Sequence, residues 1–124
     1  LYPHIPHAHI NLAVALLRAD DFDGALAAAR TAVRLFPREY FAHLVLGDTL
    51  HLKGDFVGAA RSHRDAIEID PSKGLAHQKL GDALRESGDR DGAVRAYREA
   101  LRLDPTNPAP DLALGVALDP RNPA

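Results

Sequence analysis

Three histidines, His4, His7 and His9, lie within the first ten residues, LYPHIPHAHI. Closely spaced imidazoles are typical ligands of zinc or copper. No cysteine occurs in the chain, so thiolate ligands, thiolate catalysis and disulfides are excluded together. Neither a thiolate nor a carboxylate lies within this stretch to complete a coordination sphere. The histidines alone therefore decide whether a metal site is expected.

Two other groups of residues could do chemistry, and both have a plainer interpretation. Asp20, Asp21 and Asp23 form a carboxylate cluster, but carboxylates of this kind are also typical caps at the start of a helix. Ser62 and His63 are neighbours, and adjacent residues on a helix point in different directions, which makes a poor nucleophile and base pair. The glycines show no phosphate-loop spacing. These patterns predict a protein that is not an enzyme and has no cofactor.

Composition excludes further classes of function. The chain has 124 residues and a net charge of −2, whereas nucleic-acid-binding domains usually carry a strongly basic patch. No run of eighteen apolar residues is present, as a membrane-spanning helix requires, and no signal-peptide pattern is visible. We therefore expect a soluble protein with neither a nucleic-acid nor a membrane partner, in a compartment that the sequence leaves open.

The elements that position these residues follow from an internal repeat. Prolines recur at intervals of 34 residues, at Pro3, Pro37, Pro71 and Pro105, and the last three each follow an apolar run such as YREALRLDP (97–105). Repeats of this length are typical of stacked helical units. Alignment on the prolines predicts one domain with five parts: a linker-like segment 1–5, units 6–39, 40–73 and 74–107, and a partial unit 108–124 with one short helix and a linker-like tail.

Each complete unit is predicted to hold two helices. In the second unit Gly54 can adopt the left-handed conformation that closes a helix, and Asp55 can cap the next one. Gly88 and Asp89 repeat this in the third unit, whereas the first unit has Asp20 where the glycine would stand. The prolines then end each second helix, because proline lacks the backbone donor and restricts the residue before it.

Several positions agree among the units, and together they carry a family resemblance. They are the pairs Leu46-Gly47 and Leu80-Gly81, and the alanines Ala25, Ala59, Ala93, Ala32, Ala66 and Ala100. With the 34-residue period, they make residues 3–118 resemble tetratricopeptide repeats. The resemblance implies an all-α fold, a right-handed α-solenoid of antiparallel helix pairs.

The same register bears on the histidines. His9, His43 and His77 stand 34 residues apart, at a position where the family usually has an aromatic residue. Neighbouring helices lie about 8–10 Å apart, whereas a metal needs its nitrogen ligands at about 2.1 Å. This ladder of histidines therefore cannot share one ion, and we expect its rings to fill the space between helices. We predict no metal site.

The resemblance also implies where a partner would bind. In tetratricopeptide proteins the first helix of each unit lines a concave groove that holds a peptide or a protein. The corresponding residues are His7, Ile10, Asn11, Val14, Phe41, Leu44, Val45, Asp48, His51, Gln78, Lys79, Asp82 and Arg85. Ile10, Val14, Phe41 and Leu44 are expected to form an apolar contact surface, while the facing of Leu17, Leu52 and Leu75 is left open. The main hypothesis is a non-enzymatic scaffold that binds an apolar or amphipathic segment.

Two specialities of the family do not fit these residues. Members that bind chaperones hold a terminal carboxylate with basic and amide side chains, but apolar residues stand at four of the five equivalent positions, with only Lys79 basic. The four are Ile10, Val14, Val45 and Leu75. Members attached to sugar-transferring enzymes often carry a ladder of asparagines, which here is broken after Asn11.

The ends of the chain suggest an alternative function. LDPTNPA (103–109) recurs as LDPRNPA (118–124), so the intervening helix 111–118 is expected to lack a covering helix. Internal repeats bury their faces against neighbours, so either the chain is an excerpt of a longer protein or other chains cover its ends. The alternative is a structural subunit that forms head-to-tail oligomers or filaments with copies of itself. Its contact residues would be Leu1, Tyr2, Leu112, Leu114, Val116 and Leu118.

Overall fold

The computed structural model describes residues 6–118, except for the side chains of Pro6, Leu112 and Ala117. The helices in this range are α1 Pro6–Arg18, α2 Phe22–Leu35, α3 Tyr40–Leu52, α4 Phe56–Ile69, α5 Gly74–Glu86, α6 Arg90–Leu103 and α7 Pro108–Leu118. No strand occurs among residues 6–118, which confirms the predicted all-α fold. None of the helices described is both long enough and apolar enough to cross a membrane.

Aspartates fix the starts of the even-numbered helices α2, α4 and α6. Asp21, Asp55 and Asp89 directly precede these helices, and each side chain accepts a hydrogen bond of 2.9 Å from the amide of the glycine three residues later. A carboxylate at this place satisfies a free amide and lies at the positive end of the helix dipole. The predicted capping role of Asp55 is confirmed.

The ends of α1, α3 and α5 all require a left-handed residue. Gly54 and Gly88 follow α3 and α5 with φ of 86° and 92°, a region that glycine occupies without steric penalty. After α1, where the sequence has no glycine, Asp20 takes the same conformation with φ of 60°. Aspartate is among the few other residues that tolerate it, so the missing glycine does not change the turn.

The helices form two layers with different neighbours. Each helix packs on the next in the chain, and the odd-numbered helices also contact one another, α1 with α3, α3 with α5 and α5 with α7. The even-numbered helices make no such contacts with one another within the described range. The odd-numbered helices therefore form a continuous inner layer, and we call the face of this layer that points away from the even-numbered helices the inner surface.

Small side chains allow the layers to approach closely. Fully buried alanines recur through the core at Ala13, Ala25, Ala29, Ala32, Ala42, Ala59, Ala66, Ala76, Ala83 and Ala93. Larger residues fill the space between them, among them Ile10 in the first cluster, Leu44 in the second and Tyr97 in the third. The core is thus a series of clusters along the solenoid.

Helix α7 corrects part of the prediction about the chain's end. Leu114 was expected to face outward, but it packs against the cluster that contains Leu84 and Tyr97, because α7 lies against both α5 and α6. Val116 and Leu118 are each 51% exposed. Leu1 and Tyr2 lie outside the described residues, as does the side chain of Leu112. The packing of α7 gives no support to head-to-tail assembly through Leu114.

Substitutions at Gly54 and Gly115 can show whether backbone conformation, and not packing, determines the effect of a glycine on stability. A methyl group at Gly54 or at Gly115 would meet no atom within 4 Å, but only Gly54 has a positive φ. We expect Gly54→Ala to destabilise the chain by about 1 kcal/mol, because alanine avoids the left-handed region. Gly115→Ala, inside α7, should stabilise it by about 0.5–1 kcal/mol.

Urea denaturation followed by circular dichroism gives both values. A Gly54→Ala variant as stable as the parent chain would contradict the left-handed conformation at this turn. A loss of stability in Gly115→Ala would contradict the open surroundings of α7.

Candidate functional site

A pocket of about 330 Å³ opens where α1, α3, α4 and α5 meet. Its lining residues are Leu17, Asp48, His51, Leu52, His63, Lys79 and Asp82. All of them except His63 come from odd-numbered helices. The structure thus brings together four of the predicted groove residues, Asp48, His51, Lys79 and Asp82.

His63 projects from α4 and forms the floor of the pocket. Its ring is fully buried, and neither ring nitrogen has a hydrogen-bond partner within the described residues. Oδ1 of Asp48 is 3.9 Å from Nε2, too far for a hydrogen bond. The ring has room only because residue 47 is glycine: a Cβ on Gly47 would lie 2.7 Å from both ring nitrogens.

Burial keeps this histidine uncharged. Desolvation lowers the pKa of His63 to about 3, and the positive charges of Lys79 and His51 act in the same direction. The ring is therefore neutral at physiological pH, and its contact with Asp48 is not an ion pair. A neutral imidazole offers one donor and one acceptor nitrogen, and in His63 neither is used.

The third unit repeats this arrangement with a tyrosine. Tyr97, 34 residues after His63, is fully buried, and a Cβ on Gly81 would lie 2.5 Å from its ring. The Tyr97 hydroxyl donates a hydrogen bond of 2.6 Å to Oδ1 of Asp82. Burial, followed by this hydrogen bond and the charge of Asp82, raises the pKa of Tyr97. The tyrosine in unit three thus makes the bond that the histidine in unit two lacks.

An ion pair joins the walls of the pocket. Nζ of Lys79 on α5 lies 2.9 Å from Oδ1 of Asp48 on α3. Burial raises the pKa of Asp48, and the positive charge of Lys79 opposes that shift. Beside the pocket, Arg85 approaches Asp82 at 4.0 Å and Glu86 at 3.8 Å. The pocket is therefore polar on two sides, with its charges partly paired.

Three of the predicted groove residues are core residues instead. Ile10, Leu44 and Val45 are only 7%, 6% and 5% exposed, so the expectation that Ile10 and Leu44 present an apolar surface to a partner is wrong. The reason is that an odd-numbered helix is covered by its own partner helix and by neighbouring units. This buries a wider stripe of its surface than a single helix pair would.

The other predicted groove residues lie at the surface to different degrees. His7, Asn11 and Phe41 are exposed, and Val14, Gln78 and Arg85 are half-buried. Phe41 remains 42% exposed although Nζ of Lys73 lies 4.9 Å from its ring centre. Of the residues whose facing was open, Leu52 and Leu75 are 54% and 44% exposed. Phe41 therefore remains a candidate contact residue.

Two of the three histidines of the ladder, His43 and His77, bond to the backbone of the linker before their helix. Nε2 of His43 lies 2.7 Å from the carbonyl oxygen of Pro37, and Nε2 of His77 lies 3.3 Å from that of Pro71. A carbonyl oxygen only accepts, so each ring donates and ties its helix to the preceding linker. His4, from the N-terminal cluster, lies outside the described residues. Among residues 6–118, no three side chains of the metal-binding types are arranged to hold an ion.

Sequence reasoning missed the role of His63. It considered this residue only as a base for Ser62, yet both side chains are buried and the ring makes no hydrogen bond to the hydroxyl. The signal that could have found it is the repeat register, which aligns His63 with Ala29 and Tyr97. Comparison of this position among the three units would have predicted that the His63 ring faces Leu46-Gly47, as the Tyr97 ring faces Leu80-Gly81.

Two family models match the chain. One, described as Tetratricopeptide repeat, matches residues 10–73, a little over half of the chain. The other, described as TPR repeat, matches residues 81–119. No curated protein matches the chain in sequence.

Solved structures with similar folds include three that span most of this chain. The Arabidopsis OM64 TPR domain is 18% identical, with a TM-score of 0.87 over 91% of this chain and 93% of that one. The first TPR of Spaghetti (RPAP3), bound to HSP90 peptide SRMEEVD, is 15% identical, with a TM-score of 0.87 over 90% and 89%. A mutant O-GlcNAc transferase of Thermobaculum terrenum is 26% identical, with a TM-score of 0.84 over 91% of this chain but 22% of the enzyme. The first two likenesses concern the fold alone.

The contact between Gly47 and His63 can be tested by a double-mutant cycle. We expect Gly47→Ala to destabilise the chain by about 1–3 kcal/mol, because its methyl group overlaps the ring. The same change in a His63→Ala background should cost at least about 1 kcal/mol less, since that pair copies the buried alanines at positions 13 and 29. Denaturant midpoints of the four proteins give the coupling, and additive effects would contradict the contact.

The buried ring also predicts how stability depends on pH. Between pH 6.5 and about 3, the unfolded chain protonates His63 while the folded chain does not. Stability should therefore fall as the pH falls through this window, by up to about 1.4 kcal/mol for each pH unit from this residue. His63→Phe removes the titrating group, so the variant should lose less stability than the parent chain between pH 7 and pH 5.

Urea denaturation at several pH values measures this difference. The groups that face His63, namely Asp48, His51, Lys79 and Asp82, are present in both proteins, so their titration cancels to first order. Parallel stability profiles of the two proteins would mean that the ring is hydrated and titrates normally.

Proposed function

The chain belongs to the tetratricopeptide repeat family, and from this premise we propose that it binds a partner segment on its inner surface without catalysing a reaction. The segment is an apolar or amphipathic stretch of a peptide or protein. Its apolar side chains contact the exposed residues of the odd-numbered helices, and its polar groups meet the pocket between α1, α3 and α5. Recognition of this kind, by a groove between helices, is a common way of binding peptides.

The observation that carries this proposal is the uneven distribution of exposed apolar side chains. Eight large apolar residues are exposed within the described part of the chain, and six of them lie on odd-numbered helices: Leu12, Phe41, Leu52, Leu75, Val116 and Leu118. Only Leu35 and Val57 lie on even-numbered helices. Leu118 borders residues of α6 and so does not face the inner surface. Exposed apolar residues are a mark of interaction sites, and the other five on odd-numbered helices support binding on the inner layer.

A relative of similar fold adds support of a general kind. The Spaghetti (RPAP3) domain is bound to a peptide, which fits a peptide or protein partner for this chain. The acidic end of that peptide is not expected here, because Ile10, Val14, Val45 and Leu75 offer no charge to bind it. The two chains therefore differ in what their surfaces can recognise.

The proposal predicts that an exposed residue of the inner layer controls affinity. Peptides selected from a random phage-displayed library on the whole chain would be measured by fluorescence polarisation. We expect Phe41→Asp to weaken their binding at least about tenfold, or about 1.4 kcal/mol, because an aspartate removes apolar contact and adds a charge. Leu44→Asp should instead unfold the chain, since that residue is buried.

Val57→Asp is the matched control. Val57 is 67% exposed but lies on α4, an even-numbered helix, so this variant should bind as the parent chain does. Equal weakening of binding by Phe41→Asp and Val57→Asp would contradict the assignment of the binding surface to the inner layer. Failure to select any peptide that binds would contradict the proposed function.

A further inference from the structure

The floor of the pocket is a buried polar ring that makes no hydrogen bond within the described structure. His63 is fully buried, and both of its ring nitrogens are without a partner in the described structure. Because protein atoms cover both nitrogens, the ring shapes the floor of the pocket and does not itself bond an occupant. The pocket volume of about 330 Å³ is on the order of ten times the 30 Å³ share of one water molecule. It can therefore hold one long side chain.

The charges around this floor are not balanced. Asp48 and Asp82 supply two negative charges, and Lys79 supplies one positive charge. Counting Arg85 and Glu86 beside the pocket leaves the same excess of one negative charge, because their charges are opposite; Arg85 lies near both Glu86 and Asp82. His63 adds no charge, since burial lowers its pKa. The pocket therefore attracts a cation.

Both carboxylates keep free accepting capacity. Asp48 uses Oδ1 for the ammonium of Lys79 at 2.9 Å, and Asp82 uses Oδ1 for the hydroxyl of Tyr97 at 2.6 Å. An ionised carboxylate has about four lone-pair positions, so each can accept further hydrogen bonds. A donor in the pocket could therefore meet two carboxylates together.

The remaining walls are apolar. Leu17 from α1 and Leu52 from α3 line the pocket, and Leu52 is 54% exposed. Lysine and arginine bury their aliphatic stems along such surfaces while their charged ends reach polar groups. The combination of apolar walls with a negative, acceptor-rich interior matches the two halves of these side chains.

We infer that this pocket receives a lysine or arginine side chain of the bound segment. The stem lies between Leu17 and Leu52, and the cationic end donates hydrogen bonds to Asp48 and Asp82 beside the buried ring of His63. This inference rests on the proposed function, because it assigns one side chain of the segment that the inner surface binds. It adds that the partner is basic at this point.

Other side chains fit the pocket less well. A glutamate or aspartate would bring its charge against Asp48 and Asp82, and like charges in a partly desolvated site repel strongly. An apolar side chain would cover the two carboxylates and supply no hydrogen bond in place of those that water donates to them. The chemistry of the pocket therefore discriminates among classes of side chain.

Nuclear magnetic resonance titration of the whole chain at neutral pH tests this directly. The probes are N-acetyl-arginine amide and N-acetyl-lysine amide, with N-acetyl-glutamate amide and N-acetyl-leucine amide at the same concentration and ionic strength. We expect the two basic probes to shift the ring signals of His63 and the methyl signals of Leu17 and Leu52 with saturation. The acidic and apolar probes should leave these signals in place.

Matched variants then locate the charge that matters. Asp48→Asn and Asp82→Asn keep the side-chain size and should weaken binding of the basic probes by about threefold to tenfold. Glu68→Gln on α4 makes the same change in net charge at an exposed position outside the pocket, and it should have no effect. Equal shifts with the glutamate probe, or equal weakening by all three variants, would overturn the inference. Absence of any shift at His63 would mean that the pocket holds water only, and would overturn it too.

The selected peptides separate this inference from the proposed function. Peptides that bind, that lose affinity with Phe41→Asp, but that lack lysine and arginine and tolerate Asp48→Asn would refute the basic side chain and leave peptide binding intact. Saturable binding of the basic probes at His63, together with failure to select any peptide, would support the pocket assignment and refute the proposed function.

Discussion

The structure depends on how closely the two helices of each pair can approach. That distance is set by one small residue on the odd-numbered helix and the side chain that faces it. In the first pair both are alanine, while Gly47 faces a histidine ring and Gly81 faces a tyrosine ring. A larger residue at either glycine would overlap the ring, so the two positions act as one unit of packing. Because each pair stacks on the next, this fit is transmitted along the solenoid.

The same positions determine where the pocket forms. In the third unit the hydroxyl of Tyr97 reaches Asp82, so the ring and the carboxylate close the space between helices. In the second unit Nε2 of the smaller His63 ring lies 3.9 Å from Oδ1 of Asp48, too far for a hydrogen bond. Asp48 forms an ion pair with Lys79 from the next unit instead. At this position one unit thus has a hydrogen bond from a tyrosine, and its neighbour has a histidine ring without one.

Local features of the fold could be predicted from the sequence because local chemistry determines them. Pro71 stops α4, and Asp55 caps its start, as their types and spacing predict. The identity of the groove residues could be predicted only in part, because burial depends on how many neighbours cover a helix. Leu44 and Phe41 both fall on the predicted face of α3, yet the first is in the core and the second is exposed. Only the stacking of successive units distinguishes them.

The contrast between the two layers has a mechanical consequence. The odd-numbered helices touch one another from unit to unit, whereas the even-numbered helices are not in contact with one another in the described range. Bending the array therefore changes the contacts between successive odd-numbered helices, and those of each even-numbered helix with the odd-numbered helix that follows it. The walls of the pocket come from three successive units, with Leu17 on one side and Asp82 on the other. The width of the pocket therefore changes when the array bends, and an occupant that holds these walls together would make the whole array stiffer.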